Sequence, residues 1–177
     1  MGRIRTPEKT LLFAGVLFKD NQYYLKAYDN LRQSFGEVIM ETAPLRWEYS
    51  DHYRQEMGGP LYRRFLFFKE LFDPEKLAEA KLITNKIECS MSIDDRRCAN
   101  LDPGYLTLAK IVLASTKDYS HRIYIRDGIH AEVTLIYSKD AKEYVPNINT
   151  YNDYKDERHK KIFMIGRELL AMMNRKN

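Results

Sequence analysis

The dipeptide Asp127-Gly128 constrains the fold most strongly, because it lies between two segments rich in β-branched residues, His121–Ile125 and Ile129–Tyr137. Asp-Gly is a preferred pair for the centre of a type I′ turn, in which both residues have positive φ. Such a turn joins two antiparallel strands through two loop residues. The sequence therefore predicts a β-hairpin here.

A two-residue turn also determines which side chains share a face of the hairpin. Counting back from the turn, His121 faces Thr134 and lies diagonal to Glu132, whereas Arg122 falls on the opposite, apolar face. A carboxylate beside an imidazole orients the ring, as in many functional sites. His121 and Glu132 are therefore a candidate pair, although a solvated sheet face would explain the same polar residues without any function.

The first hundred residues alternate between apolar runs and amphipathic segments. The apolar runs predict strands at 11–18, 38–42, 62–71 and 96–100. The amphipathic segments predict two helices, one ending at Gly36 and one beginning at Asp73-Pro74. The order β-α-β-β-α-β is that of the ferredoxin-like fold, so residues 8–100 are expected to form an antiparallel sheet with both helices on one face.

Residues 101–177 are expected to extend this core within a single domain, 1–177. Asp102-Pro103-Gly104 has the composition of a turn, and 107–115 could be a helix or a strand, with its alanines and lysine favouring the helix. A last helix is predicted to bury the stripe Ile162, Ile165, Leu169, Met172 and Met173. The predicted class is α+β, a ferredoxin-like core extended by a helix, a β-hairpin and a C-terminal helix.

Composition narrows the class of protein. The net charge of +4 comes from 29 basic and 25 acidic residues that are closely interspersed, unlike the concentrated basic face of a dedicated nucleic-acid-binding protein. The first apolar run, Leu11–Phe18, is too short to cross a bilayer. Cys89 and Cys98 match no zinc-binding spacing and are expected to be reduced thiols. We therefore expect a cytoplasmic protein with no membrane partner.

The sequence contains no catalytic motif of high specificity. It lacks GxxxxGK[ST] for a P-loop, HExxH for zinc and GxSxG for a serine hydrolase. His52 and Glu56 have the i, i+4 spacing of metal ligands, but no third ligand is near in the sequence, so no metal site is predicted. Whether the protein is an enzyme stays open, and no catalytic residue or cofactor is assigned.

The segment 100–137 concentrates ionisable residues within apolar sequence, and buried charges are costly unless they are paired or used. It is therefore the best candidate for a small-molecule site, whose positive charges would take an anionic ligand such as a phosphate or a nucleotide. The alternative is a non-enzymatic module that binds RNA or a protein partner, suggested by thirteen tyrosines. The candidate ligand-binding residues are Asp102, Lys110, Lys117, His121, Arg122 and Glu132.

Four stretches carry a family resemblance: LLFAGVLF at 11–18, DHYRQEMGGPLYRRFLFF at 51–68, DPEKLAEAKLITNKIE at 73–88, and the whole of 100–137. Through them the chain resembles a prokaryotic family of single-domain proteins, domain-of-unknown-function family 4416. The resemblance covers nearly the full length and implies a prokaryotic, cytoplasmic protein, but it assigns no activity and no catalytic residue. The connection KDAKEYVPNINTYNDY, after Tyr137, is less typical of the family than the rest.

Overall fold

The structure is a computed structural model that describes residues 2–94 and 96–175, which form nine strands and four helices. The strands are β1 (Thr10–Phe18), β2 (Val38–Glu41), β3 (Leu45–Trp47), β4 (Leu61–Phe72), β5 (Ala99–Leu106), β6 (Lys110–Ser115), β7 (Ile123–Arg126), β8 (Ile129–Ser138) and β9 (Glu143–Pro146). The helices are α1 (Asn21–Phe35), α2 (Asp51–Met57), α3 (Leu77–Ser90) and α4 (Glu157–Asn174). The predicted α+β class is confirmed.

The strands form one antiparallel sheet with the main order β2-β4-β1-β5-β6-β8-β7, while β3 pairs with β4 and β9 pairs with β8. Alternate residues of β1 enter two hydrophobic clusters, one under α1 and α3 and the other under α4. Every residue of β1 is therefore buried, as predicted for an apolar run covered on both faces.

The helix predicted for 107–115 is wrong, because Lys110–Ser115 is strand β6. Ile111 and Leu113 join the cluster under α4, and Val112 and Ala114 pack into a cluster on the opposite face. This alternation suits a strand held between β5 and β8. Pairing on both edges thus overrides the helix propensity of the alanines and the lysine.

The turn predicted at 102–104 is also wrong, because these residues lie inside β5, which starts later than the predicted strand at 96–100. β5 pairs with β1 along its whole length but with β6 only through Gly104–Leu106. Pro103 therefore has no partner strand on its β6 side, which is where a strand tolerates a residue lacking an N–H.

The hairpin at Asp127-Gly128 is confirmed, with positive φ at both turn residues. A register shift between Tyr124 and Arg126 then places Tyr124 opposite His130. A one-residue shift exchanges the two faces of a strand. For this reason the placement of Arg122 on the apolar face is wrong, and its side chain instead bonds to Glu132.

The C-terminal helix is confirmed as α4, but its buried stripe differs from the predicted one. Phe163, Gly166 and Leu170 are buried, whereas Ile165 and Met172 are each 51% exposed. A Cβ on Gly166 would lie 2.8 Å from a ring carbon of Phe67. The helix thus packs closest to the sheet at Gly166. With this residue against the sheet, Ile165 and Met172 of the predicted stripe lie outside the core.

Candidate functional site

A cavity of about 400 Å³ lies beside the sheet at the end where β5 and β6 separate. Four parts of the chain line it, namely the region from β3 to the start of β4, Lys81 on α3, the facing parts of β5, β6 and β8 with the residues that flank them, and the segment before α4. Its principal polar and aromatic lining residues are Trp47, Tyr53, Arg63, Arg97, Asn100, Asp102, Ser115, Lys117, Glu132, Tyr151, Asp153 and Tyr154.

A buried ion-pair network forms the floor of this cavity. Arg63 is only 2% exposed and donates to Asp102 Oδ2 at 2.8 Å and to Asp153 Oδ2 at 3.2 Å. Asn100 also donates to Asp102 Oδ2, at 2.9 Å. The room for the guanidinium comes from Gly15 on β1, since a Cβ there would lie 2.7 Å from Arg63 Nη1.

The floor residues are charged because they are paired. Burial alone would lower the pKa of Arg63, but Asp102 and Asp153 outweigh this effect and raise it. Burial would likewise raise the pKa of Asp102, but Arg63 and Lys81 hold it below its ordinary value. The floor therefore presents fixed opposite charges at physiological pH.

Helix α3 supplies charged side chains where β5 lacks a neighbouring strand. Lys81 Nζ donates to the carbonyl oxygen of Leu101 at 2.8 Å, and Glu88 Oε1 accepts from the Leu101 N–H at 2.5 Å. Burial raises the pKa of Glu88. These two side chains take the place of a β6 partner for the Leu101 backbone, so the sheet can separate there without losing hydrogen bonds.

Arg97 attaches α2 to the same edge of β5. Its guanidinium donates to both carboxylate oxygens of Glu56 at 2.6 Å and to the side-chain oxygen of Asn100 at 2.8 Å. The hydrogen bonds from Arg97 lower the pKa of Glu56. Glu56, which has the spacing of a metal ligand with His52, is thus held in a bidentate ion pair.

Aromatic rings form the walls of the cavity. Trp47 donates from Nε1 to Asp153 Oδ2 at 3.2 Å, and its ring meets that of Tyr53 edge to face at 5.5 Å between centroids. Burial raises the pKa of Tyr53 and, with Glu132 nearby, raises that of Tyr151 to about 12. Both phenols are therefore neutral at physiological pH, so they add aromatic surface to the cavity without adding charge.

A second ion-pair cluster supports the wall on the β8 side. Arg122, whose side chain is buried, donates from Nε to Glu132 Oε2 at 2.7 Å and from Nη1 to the hydroxyl of Ser115 at 2.7 Å. It also donates to the hydroxyl of Tyr151. His121 Nε2 lies 3.2 Å from Glu132 Oε2. Arg122 thus ties the loop before β7 to the segment before α4.

The six residues predicted as ligand-binding do not all meet in one place. Asp102, Lys117 and Glu132 line the cavity. Arg122 reaches it through its hydrogen bonds to Glu132, Ser115 and Tyr151, and His121 lines a separate open groove that Glu132 also lines. Lys110, at the far end of β6, lines the same groove as His121 and a further groove elsewhere.

Sequence reasoning missed Arg63, Asp153 and the aromatic walls. Arg63 pairs with Asp102 and Asp153 across separations of 39 and 90 residues, so no local spacing marks the group. One signal was present in the sequence, since Arg63 and Arg64 directly precede the apolar run Phe65–Phe68 in the same strand. A charge in such a segment needs a buried partner.

The described residues contain neither a candidate metal site nor a helix suited to span a membrane. Within residues 2–94 and 96–175, no three His, Cys, Asp or Glu side chains gather in a way that could hold a metal ion. In the same part of the chain, none of the helices combines the length and the apolar character that crossing a membrane requires.

The fold and the cavity define an α+β protein whose antiparallel sheet carries a polar pocket with aromatic walls. The chain belongs to the family described as a domain of unknown function (DUF4416), which matches residues 8–169. This finding confirms the family predicted from the four stretches. No curated protein and no solved structure matches the chain. The prokaryotic origin and cytoplasmic location implied by the resemblance stay predictions.

Proposed function

We propose that this protein binds a phosphate-bearing small molecule, a nucleotide foremost, in the cavity between β4, β5 and β6. The observation that carries the proposal is a buried floor of ion-paired charges, Arg63 with Asp102 and Asp153, in a cavity of about 400 Å³ that aromatic residues also line. Ligand pockets commonly have volumes of about 300–1,000 Å³ and combine apolar walls with a few oriented polar groups.

The walls suit a planar base. Trp47, Tyr53 and Tyr151 line the cavity, and the rings of Trp47 and Tyr53 meet edge to face. Stacking of a base on an aromatic side chain contributes about 1–3 kcal/mol. Because the phenols are neutral, this contribution needs no charge on the ligand.

The phosphate belongs at the rim of the cavity. Two carboxylates in the floor, Asp102 and Asp153, already balance Arg63 and would repel an anion. Lys117 lines the cavity from an exposed loop, beside the hydroxyl-bearing Ser115 and Thr116. An ammonium group and hydroxyl donors are the groups that bind phosphate oxygens.

Thermal-shift measurements and calorimetry with adenosine, guanosine, cytidine and uridine 5′-monophosphates test the proposal, with inorganic phosphate as a reference. Ligand at about 100 times its Kd stabilises the folded state by about 2.7 kcal/mol, so at least one nucleotide should raise the Tm clearly. Lys117→Ala should weaken that nucleotide about threefold to tenfold, whereas Lys110→Ala, outside the cavity, should not. A panel in which no nucleotide raises the Tm would refute the proposal.

A second candidate is an interaction module that binds a protein partner or RNA, and the edge of the sheet favours the protein. All four residues of β7 are exposed, including Ile123 and Tyr124, and β7 pairs only with β8 among the described strands. Such an edge can accept a strand from another chain, most simply a second copy. Light scattering should then show a dimer that Ile123→Lys disrupts. RNA binding would instead weaken steeply with salt. A monomer that binds no RNA at low salt would exclude self-association through β7 and RNA binding.

We also propose a ferredoxin-like description for the part of the sheet formed by β2, β4, β1 and β5. These strands are antiparallel neighbours in that order, and α1 and α3 pack on the same hydrophobic cluster. β3 and α2 would then be insertions in a β-α-β-β-α-β unit. An experimental structure with α1 and α3 on opposite faces would contradict this description.

A further inference from the structure

Tyr154 lines the cavity, and its buried hydroxyl is a hydrogen-bond donor that the described part of the protein does not use. Tyr154 is 2% exposed, and its hydroxyl has no hydrogen-bond partner within residues 2–94 and 96–175. Its ring is held by stacking on Phe163 at 5.6 Å and by an edge contact with Phe65 at 5.9 Å. Burial raises the pKa of this phenol well above 10, so the hydroxyl keeps its proton. A buried donor without a partner is costly, and a ligand acceptor would remove the cost.

Asp102 provides a complementary acceptor. Both hydrogen bonds that it accepts from described residues, from Arg63 and Asn100, end on Oδ2. Oδ1 is left for another donor, and the side chain is 24% exposed, so a ligand can reach it. Arg63 and Lys81 outweigh burial and lower the pKa of Asp102. The carboxylate is therefore ionised and accepts hydrogen bonds only.

The two groups lie around the same guanidinium, above Gly15. The Cβ position of Gly15 is 2.7 Å from Arg63 Nη1 and 3.5 Å from the Tyr154 hydroxyl. Arg63 Nη1 is in turn 2.8 Å from Asp102 Oδ2, and Asp102 is the register partner of Gly15. The donor and the acceptor thus both lie beside Gly15, at the floor of the cavity.

We infer that the floor of the cavity binds a ribose hydroxyl, which donates to Asp102 and accepts from Tyr154, so that the ligand is a ribonucleotide with its sugar directed inward. This inference rests on the proposed function and specifies its ligand. An alcohol can donate and accept through one oxygen, whereas a phosphate is repelled by the carboxylates, a carbonyl cannot donate and an ammonium cannot accept. The phosphate then remains at the rim near Lys117.

Calorimetry with a 5′-monophosphate and its 2′-deoxy, 3′-deoxy and 2′,3′-dideoxy analogues tests the inference. A site built to hydrogen-bond a hydroxyl discriminates strongly against an analogue that lacks it. Removal of one hydroxyl should therefore lower the affinity about tenfold or more. Tyr154→Phe and Asp102→Asn should each reduce this discrimination. The control Tyr144→Phe should not, because Tyr144 is a buried tyrosine outside the cavity whose hydroxyl donates to the Thr107 carbonyl.

A readout without ligand separates the inference from the proposed function. Tyr154→Phe should leave the Tm of the free protein unchanged or raise it, because it removes a buried hydroxyl that has no partner within the described residues. Tyr144→Phe should lower the Tm. A marked fall of the Tm in Tyr154→Phe would overturn the inference. So would equal affinities of the ribonucleotide and the dideoxy analogue, although nucleotide binding itself would then stand. Failure of every nucleotide to bind would refute both.

Discussion

Replacement of Arg63 by methionine tests the buried floor most directly. Methionine fills much of the same volume but leaves Asp102 and Asp153 without the guanidinium that both contact. Removing one partner of a buried ion pair costs about 3–5 kcal/mol, because the remaining charge stays buried. For a chain of this length that corresponds to a fall in Tm of roughly 6–20 °C.

The loss in Arg63→Met should depend on pH. In the native protein the pKa of Asp102 is lowered, so its stabilising effect is present above the ordinary carboxyl pKa of about 4 and is lost only as the pH falls through the lower folded value. Without Arg63, burial dominates and raises this pKa. The folded variant then takes up a proton at mildly acidic pH, so its deficit is largest at neutral pH and shrinks as the pH falls.

Urea unfolding at pH 7.5 and pH 5 measures both effects, followed by circular dichroism and by fluorescence of the single tryptophan, Trp47. Arg46→Met is the matched control, because Arg46 pairs with Glu48 at 2.8 Å while both side chains are largely exposed. Such a surface pair contributes only about 0–1 kcal/mol. A loss below about 1 kcal/mol in Arg63→Met, or an equal loss at both pH values, would refute the reasoning.

Three further predictions concern packing outside the floor. Arg122→Met should cost about 3–5 kcal/mol in urea unfolding because it leaves Glu132 buried and without its guanidinium, whereas Arg126→Met, whose partner Glu79 is exposed, should cost less than about 1 kcal/mol. Gly128→Ala should cost about 1–2 kcal/mol in thermal unfolding, because φ is +74° although nothing obstructs the added Cβ. Gly166→Ala should gain up to about 1 kcal/mol from helix propensity, but its Cβ would lie 2.8 Å from the Phe67 ring. We therefore expect a net loss of stability of about 1–3 kcal/mol, measured by calorimetry. A higher Tm in the variant would contradict the close approach of α4 to the sheet.

Local sequence signals predicted the elements whose cause is local. Asp127-Gly128 determines the hairpin through the φ values of two residues, and Asp73-Pro74 marks the turn that leads into α3. These local signals failed where pairing with a neighbouring strand determines the secondary structure. Residues 107–115 have the composition of a helix but are paired on both edges, and 102–104 have that of a turn but continue β5 beside β1. No local pattern contains those partners.

Sequence reasoning likewise identified some residues that line the cavity and missed others. Asp102, Lys117 and Glu132 were found because they are charged residues in apolar sequence, and all three line the cavity. Arg63 and Asp153, which complete the floor, are joined to the predicted segment only by tertiary contacts. The register shift near Tyr124, which brings Arg122 to Glu132, is a departure from ideal pairing that the turn sequence does not encode.

The short ladder between β5 and β6 has a mechanical consequence. The two wings of the sheet meet through Gly104–Leu106 alone, while the Leu101 amide is held by a carboxylate of α3. The sheet should therefore twist most easily at this short β5–β6 ladder. Hydrogen exchange of the Leu101 amide should measure how stably α3 packs against β5, and not how stably the strands are paired. A molecule in the cavity would touch Arg63 and Asp102 on one wing and Ser115 and Glu132 on the other. By contacting both parts of the sheet, it would restrict their relative motion and slow amide hydrogen exchange in both parts together.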